Sequence, residues 1–394
     1  MQPGPQEIEN RVHELRRNHP SLLLIDEAGR STQGRPILAV TVTDPATPDD
    51  DKEHALIIAG QHGDEETPRA TALALLEWLV SPAAAATRRR QKIVVMPCVN
   101  PDGAEADSHL TATGIAPNLD HGPDGPRSPE GMAVEKIAYQ LEPELFVDMH
   151  ARGFAGCSFD MVLYPATRPY TEDDNIFHAV AARMALAGEK AGIPHMTHPL
   201  TWPGWGGDDP DEPSTTLFAY RRFKSLVMLT ESAESNAWAY PMPLRVKAGL
   251  ARVRCALDFG NRRYPRLPHA GYPCALVAGM FLSGIVAMGD TAARRRQSRI
   301  EAWRHRDAFT KLERCTPEQD RIKKLLLHYN GPPLRHPVGV QTFAAGRLRL
   351  TAAAFDQKDL AATAQTWHDG CATLTVIPVE HLAPGTHKIE VRYN

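Results

Sequence analysis

Five short apolar runs, most of them separated by a helical pattern and each ending at a polar corner, constrain what this chain can fold into. They are Ile37–Thr43, Ala55–Ala59, Ile93–Cys98, Leu145–Met149 and Ser225–Thr230. Val, Ile and Leu dominate them, and their lengths suit strands. Near-continuous apolar character implies burial on both faces, as in a mostly parallel or mixed sheet between helices. Between the runs, Thr67–Val80, Pro129–Leu141 and Asp173–Ala191 carry apolar residues at helical spacing. The expected fold class is therefore α/β, a mixed, mostly parallel central sheet flanked by helices.

With 394 residues the chain exceeds an ordinary single domain, and its pattern changes beyond residue 240. Arg245–Leu257 and Ala292–Leu312 read as Arg-rich helices. After Gly331-Pro332-Pro333 come the alternating, strand-like segments Gly346–Thr351, Ala372–Pro378 and Thr386–Tyr393. The expected organisation is an α/β domain over 1–240, a mostly helical extension packed on it over 241–330, and a small β-sandwich-like domain over 331–394.

A formal net charge of -3 supplies no global field for nucleic acid or an anionic membrane. The basic run around Arg294–Arg296 reads as a solvated helix face with Ile300, Trp303 and Phe309 turned inward, so no nucleic-acid partner is expected. Cys98, Cys157, Cys255, Cys274, Cys315 and Cys371 are spread singly, which argues against a zinc finger or a disulfide framework. The most apolar run, Cys274–Met288, is shorter than the ~20 residues a bilayer span needs. The first residues lack the apolar segment of a secretory signal. A cytoplasmic protein with no membrane partner is expected.

Chemistry-bearing residues stand where strands end. Gly60-Gln61-His62-Gly63-Asp64-Glu65-Glu66 follows one strand and opens a helix. A histidine and a carboxylate three positions apart at such a corner can converge on a metal ion. Alone the pair is common. However, the strand Leu145–Met149 runs into His150, and Ser225–Thr230 ends on Glu231. A lone strand-end histidine is ordinarily a satisfied core residue, and a carboxylate ending an apolar strand is costly unless paired or functional. One shared site explains all three strand ends together, because open α/β sheets present ligands to a crevice at their carboxyl ends. Glu66 would favour the helix dipole on the first turn, and Glu234, past the strand, reads as solvated.

The ordered set of motifs resembles the zinc carboxypeptidases, the carboxypeptidase A-like metallopeptidases. Gly29-Arg30-Ser31 through Gly34-Arg35-Pro36 resembles the segment before their first core strand, and His62-Gly63-Asp64-Glu65 their HxxE metal motif. Asn100-Pro101-Asp102-Gly103 matches their NPDG turn, and Ser128-Pro129-Glu130 the opening of the following helix. Asp148-Met149-His150 resembles the strand bearing the last ligand, and Leu229-Thr230-Glu231 the strand ending in the catalytic glutamate. The likeness spans roughly positions 25–235. It implies one Zn2+ per chain on His62, Glu65 and His150, with Glu231 as general base in hydrolysis of a peptide or small amide substrate.

Two departures stand out. The family's oxyanion-stabilising arginine has no counterpart between Arg90 and Arg127, which leaves Arg127 or Arg152 for that role. Asn118-Leu119-Asp120-His121 occupies the place of the Asn-Arg pair that grips a substrate carboxylate. Asp120 and His121 there imply a substrate other than a peptide with a free C-terminus, with an amine or guanidine group preferred. The Trp202–Asp211 loop reads as a lid, an acidic specificity wall or a long surface connection. Competing readings are a deacylase like the succinylglutamate desuccinylase and aspartoacylase relatives, or a non-catalytic binding protein that keeps the fold.

Overall fold

In a computed structural model, the described residues are 3–151, 160–163, 173–195, 212–234, 240–261, 285–314, 321–369 and 372–394. The chain divides into two compact units, Met1–Asn261 and Arg262–Asn394.

The first unit is built on seven strands: β1 (Leu23–Arg30), β2 (Pro36–Val42), β3 (Glu53–Ala59), β4 (Gln91–Met96), β5 (Leu145–Ala151), β6 (Met161–Leu163) and β7 (Leu226–Ser232). Their order is β1-β2-β4-β3-β5-β7-β6. The four central strands are parallel, and β1, β2 and β6 join antiparallel at the edges. Leu56, Ile57, Ile58, Phe146 and Val147 are fully buried, at about 1.5–3 kcal/mol for each large side chain removed from water. Helices on both faces account for that burial. α1 (Pro5–Asn18), α2 (Glu66–Val80), α3 (Ala85–Arg90) and α4 (Pro101–Ala106) precede α5 (Pro129–Leu141), α6 (Asp173–Ala191), α7 (Thr215–Phe223) and α8 (Met242–Asn261). α2, α3 and α6 all pack on α8, while α5 and α7 meet through Tyr139 and Phe218. Among the described residues no single helix is long and apolar enough to cross a membrane.

Local chemistry sets the helix starts that matter for the site. Asn100 Oδ1 accepts from the Gly103 amide at 2.9 Å with Pro101 in the first turn, and Ser128 Oγ accepts from Gly131 at 3.0 Å with Pro129 following. Asp102 is buried beneath the first of these turns. Its carboxylate accepts from Ser31 Oγ (2.7 Å), the Gln33 amide (2.8 Å) and Arg35 Nη1 (2.7 Å), so the NPDG turn holds the Ser31–Arg35 turn in place.

The second unit contains β8 (Ile285–Ala287), α9 (Ala292–Arg304), β9 (Phe309–Arg314) and β10 (Ile322–Tyr329), followed by β11 (Val338–Ala345), β12 (Leu350–Phe355) and β13 (Lys358–Asp359). β14 (Gln365–Asp369), β15 (Ala372–Val379) and β16 (Gly385–Tyr393) complete it. They form a sheet ordered β13-β12-β16-β10-β9 and a second ordered β14-β15-β11-β8, whose apolar faces share one core of Leu325, Leu327, Val338, Val340, Ile377 and Val391. The boundaries expected at 240 and 331 are corrected accordingly. α8 belongs to the first unit, because it packs on α2 and α6. Residues 309–314 and 322–329, expected in a helical extension, pair as strands with one another and with β16. The Gly346–Thr351 segment is mainly a turn, with the strands on either side of it.

Candidate metal centre

The three chemistry-bearing corners lie at the carboxyl ends of the adjacent parallel strands β3, β5 and β7. Ala59 pairs with Met149, and His150 lies directly opposite Glu231. His62, Glu65 and His150 are all buried, and Glu231 is partly buried.

Close backbone packing sets the position of the His62–Glu65 corner. A Cβ on Gly63 would fall 1.9 Å from the Gly103 carbonyl carbon, so the metal-motif loop and the NPDG turn touch backbone to backbone. The Gly63 amide donates to the Ser108 carbonyl at 2.9 Å, and Asn100 Nδ2 donates to the Gln61 and Leu110 carbonyls at 3.2 Å. Buried Arg69 reaches back from α2 to the Gly63 carbonyl (2.6 Å) and the Glu65 carbonyl (2.9 Å).

His62 Nδ1 lies 3.0 Å from the His109 carbonyl. His150 Nδ1 is 3.2 Å from Glu65 Oε2, and its Nε2 is 3.1 Å from Asp148 Oδ1. Asp148 also accepts both 2.8 and 2.9 Å bonds from the Gln61 amide, whose oxygen accepts from Thr215 Oγ1 at 3.1 Å. A carboxylate behind the far nitrogen is the arrangement that orients a metal-bound histidine. Burial opposes a charge on His150, but Asp148 and Glu65 outweigh it and hold the ring's pKa well above its ordinary value. Burial also pushes the Glu65 carboxyl up, against the pull of His150. This pair therefore holds a proton that a cation would displace.

This donor set suits a divalent zinc-like ion. Two donors about 2.0–2.2 Å from a tetrahedral ion lie about 3.3 Å apart, and Glu65 and His150 are separated by 3.2 Å. His62 and His150 have ring centroids 5.0 Å apart and planes inclined by 47°, so the two rings are tilted and not stacked. A third histidine, His109, also puts a ring nitrogen within 4.8 Å of donors on His62 and Glu65. Its ring, however, stacks face to face on His62 at 3.5 Å and 6°. Imidazole lone pairs lie in the ring plane, and two parallel planes 3.5 Å apart cannot share an ion at about 2.1 Å. His150 meets Glu65 at 3.2 Å and lies tilted to His62, without such a stack.

The structure corrects several readings of individual residues. The Asp120 carboxylate does not face a substrate group. It accepts from the Arg127 amide (3.0 Å), the Ser128 amide (2.8 Å) and Ser128 Oγ (2.7 Å), fixing the start of α5. The His121 side chain is fully buried, bonded through Nδ1 to Glu135 Oε1 at 3.1 Å and stacked on Phe218. Asn118 is half-buried, and its carbonyl accepts from Thr215, two bonds from Gln61. The Arg127 side chain is 79% exposed beside Asp120, which gives no support to an oxyanion role. Arg152 and the Trp202–Asp211 loop lie outside the described residues. Glu234 is not solvated: its Oε1 accepts from the Glu66 and Thr67 amides at the start of α2 and from Arg245 at 2.8 Å. Gln61, Asp148 and His109 were not expected at the site. Asp148 was legible, since it stands two positions before His150 on the same strand face; His109 left no signal.

Residues 8–118 match the family model described as zinc carboxypeptidase. Among solved structures, the metallo-carboxypeptidase from Burkholderia cenocepacia aligns at 21% identity over 64% of this chain and 68% of that one, with a TM-score of 0.55. The chain therefore resembles the zinc carboxypeptidases over residues 8–118 and shares the carboxypeptidase fold. A metallo-carboxypeptidase from Pseudomonas aeruginosa, solved with (2-guanidinoethylmercapto)succinic acid, shares the carboxypeptidase fold at 18% identity over 65% and 69% of the two chains, TM-score 0.53. Carboxypeptidase A from Helicoverpa armigera does so at 16% over 65% and 73%, TM-score 0.52. No curated protein gives a significant sequence match.

Proposed function

We propose that this chain is a zinc-dependent hydrolase of peptide or amide bonds, with His62, Glu65 and His150 holding one metal ion and Glu231 as general base. The observation that carries this reading is the convergence of these residues at the ends of three adjacent parallel strands, with His150 and Glu231 in register. A zinc ion held there would polarise the scissile carbonyl and draw the pKa of a water molecule toward neutrality. Glu231, fixed by pairing on both sides of β7, accepts the proton of the attacking water and delivers it to the leaving nitrogen. Asp148 and Gln61 keep His150 in one orientation throughout. Glu231→Gln preserves size and hydrogen bonding but removes the base. It is expected to retain zinc and lose nearly all turnover on a panel of peptides and acyl-amino acids; full activity would remove Glu231 from the mechanism.

The substrate proposed is one without a free terminal carboxylate. The support for this is now what the 118–121 segment lacks. Leu119 is exposed, Asp120 is engaged with backbone amides, and His121 is buried, so the segment offers no guanidinium to clamp an anion. A bidentate Arg–carboxylate contact is among the strongest polar interactions, and matched substrates with free and amidated C-termini test its absence. A strong preference for the free acid would refute the proposal.

A further inference from the structure

We infer that Arg252 and Asp160, a buried ion pair between the sheet and α8, are positioning residues for Glu231. They fix the end of β7, which carries the base, and the start of β6, which pairs with it. The inference rests on Glu231 being the general base.

Glu231 stands one residue before the end of β7. Its backbone partner on the outer side is Met161, the first residue of β6, and β6 is an edge strand of three residues. Strand ends of this kind fray unless something ties them. Here the tie comes from α8. Arg252 and Asp160 are both buried, and the Arg252 guanidinium forks: Nη1 bonds the Asp160 carboxylate, and Nη2 donates to Ser232 Oγ at 3.0 Å. The other Asp160 oxygen accepts from the Ala233 amide at 2.7 Å, and the Asp160 amide donates to the Pro194 carbonyl at 2.9 Å. One ion pair therefore holds the two residues that follow Glu231 and the residue that precedes Met161. Gly188 on α6 leaves room for it, since a Cβ there would stand 3.3 Å from Arg252 Cγ and 3.4 Å from Cδ. Side chains alternate along a strand, so Ser232 turns toward α8 and Glu231 away from it. Fixing Ser232 and Ala233 thus sets the direction in which the Glu231 carboxylate leaves the backbone. A buried ion pair adds little net stability over well-packed apolar residues. What this fork supplies is a fixed geometry at two strand ends.

Crystal structures and kinetics of the full chain test the brace, with thermal melts as the control for folding. Removing the arginine alone leaves a buried carboxylate unpaired, so Arg252→Met is combined with Asp160→Asn. That double variant carries no orphan charge, and its new side-chain amide oxygen can still accept from Ala233. Its Glu231 carboxylate is expected to move by about 1 Å or to occupy more than one position, and kcat to fall about 10–100-fold. KM, and zinc affinity by chelator competition, should stay at the wild-type values, because none of the proposed metal ligands lies on β6 or β7. Arg252→Lys keeps the charge against Asp160 but lacks the planar fork, and is expected to recover part of the rate. Ser232→Ala leaves the ion pair intact and removes only its acceptor on β7; a smaller loss of kcat at constant KM is expected. A double variant with unchanged kcat, or with Glu231 unmoved and only a lower melting temperature, would overturn the inference and leave the pair a purely structural one. Wild-type kcat and an unmoved Glu231 in Ser232→Ala would do so in a chain whose ion pair is undisturbed. Full activity of Glu231→Gln would instead overturn the assignment of the base, and the displacement of Glu231 is read independently of that result and of any substrate.

Discussion

Gly63→Ala tests whether the metal corner is held by backbone packing. The new Cβ would lie 1.9 Å from the Gly103 carbonyl carbon, 2.2 Å from the Ala104 nitrogen and 2.3 Å from the Gly103 oxygen. Ordinary contact to such atoms is about 3.5 Å, so the two loops must separate by roughly 1.5 Å. All three atoms belong to backbone, and the Gly103 amide is itself bonded to Asn100, so no side chain can rotate to relieve the clash. Metal donors tolerate displacements of about 0.2 Å, several-fold less than the movement required. Even if most of the shift were absorbed by the Gly103 turn, the remainder would displace His62 and Glu65, which flank Gly63 on the same loop. Overpacking of this kind costs about 1–3 kcal/mol where side chains can yield, and about 3 kcal/mol or more is expected here. Urea unfolding of the metal-free protein measures the stability term, and zinc titration measures the site. A Gly63→Ala variant with unchanged unfolding midpoint and unchanged zinc affinity would refute the contact between the two motifs.

Two further outcomes follow from buried polar groups. Asp102→Ala leaves the Ser31 hydroxyl and the Gln33 amide without their acceptor, at about 1 kcal/mol each or somewhat more; Arg35 is a third exposed and adds little after solvent screening. Urea unfolding should show a loss of about 2–4 kcal/mol, and a loss under 1 kcal/mol would mean that the turn does not depend on this carboxylate. Cys98 is buried, and burial pushes its thiol up to about 11 from 9.0. In the unfolded chain the thiol loses its proton first, so the folded state binds more protons between those values and stability should fall as pH rises from 9 to 11. Cys98→Ser should flatten that part of the stability–pH curve, and an unchanged slope would show that Cys98 does not contribute.

The sequence by itself determined the central sheet and the identity of the strand-end residues. Apolar runs such as Ala55–Ala59 and Ile93–Cys98 have no polar face to turn outward, so only a sheet covered on both sides accommodates them. A His or Glu that ends such a run is delivered to the crevice at the sheet's edge. Strand order, the antiparallel edges and the pairing of His150 with Glu231 depended on contacts between residues distant in sequence, and only the tertiary structure fixed them. The same holds beyond residue 285. Ile322–Tyr329 contains the run Leu325-Leu326-Leu327, which masks its alternation, and it becomes a strand because β9 and β16 supply backbone partners. Polar residues were the least legible. Asp120 and His121 occupy positions associated with substrate, and Glu234 lies just beyond a strand. What each does is set by which partner it meets, Ser128, Glu135 or the first turn of α2, and a buried polar group takes whichever partner the fold brings within about 3 Å. His109 is the extreme case. Nothing in its sequence neighbourhood marks it, and its relation to His62 exists only because the Gly63 and Gly103 backbones pack closely enough to bring two loops into contact.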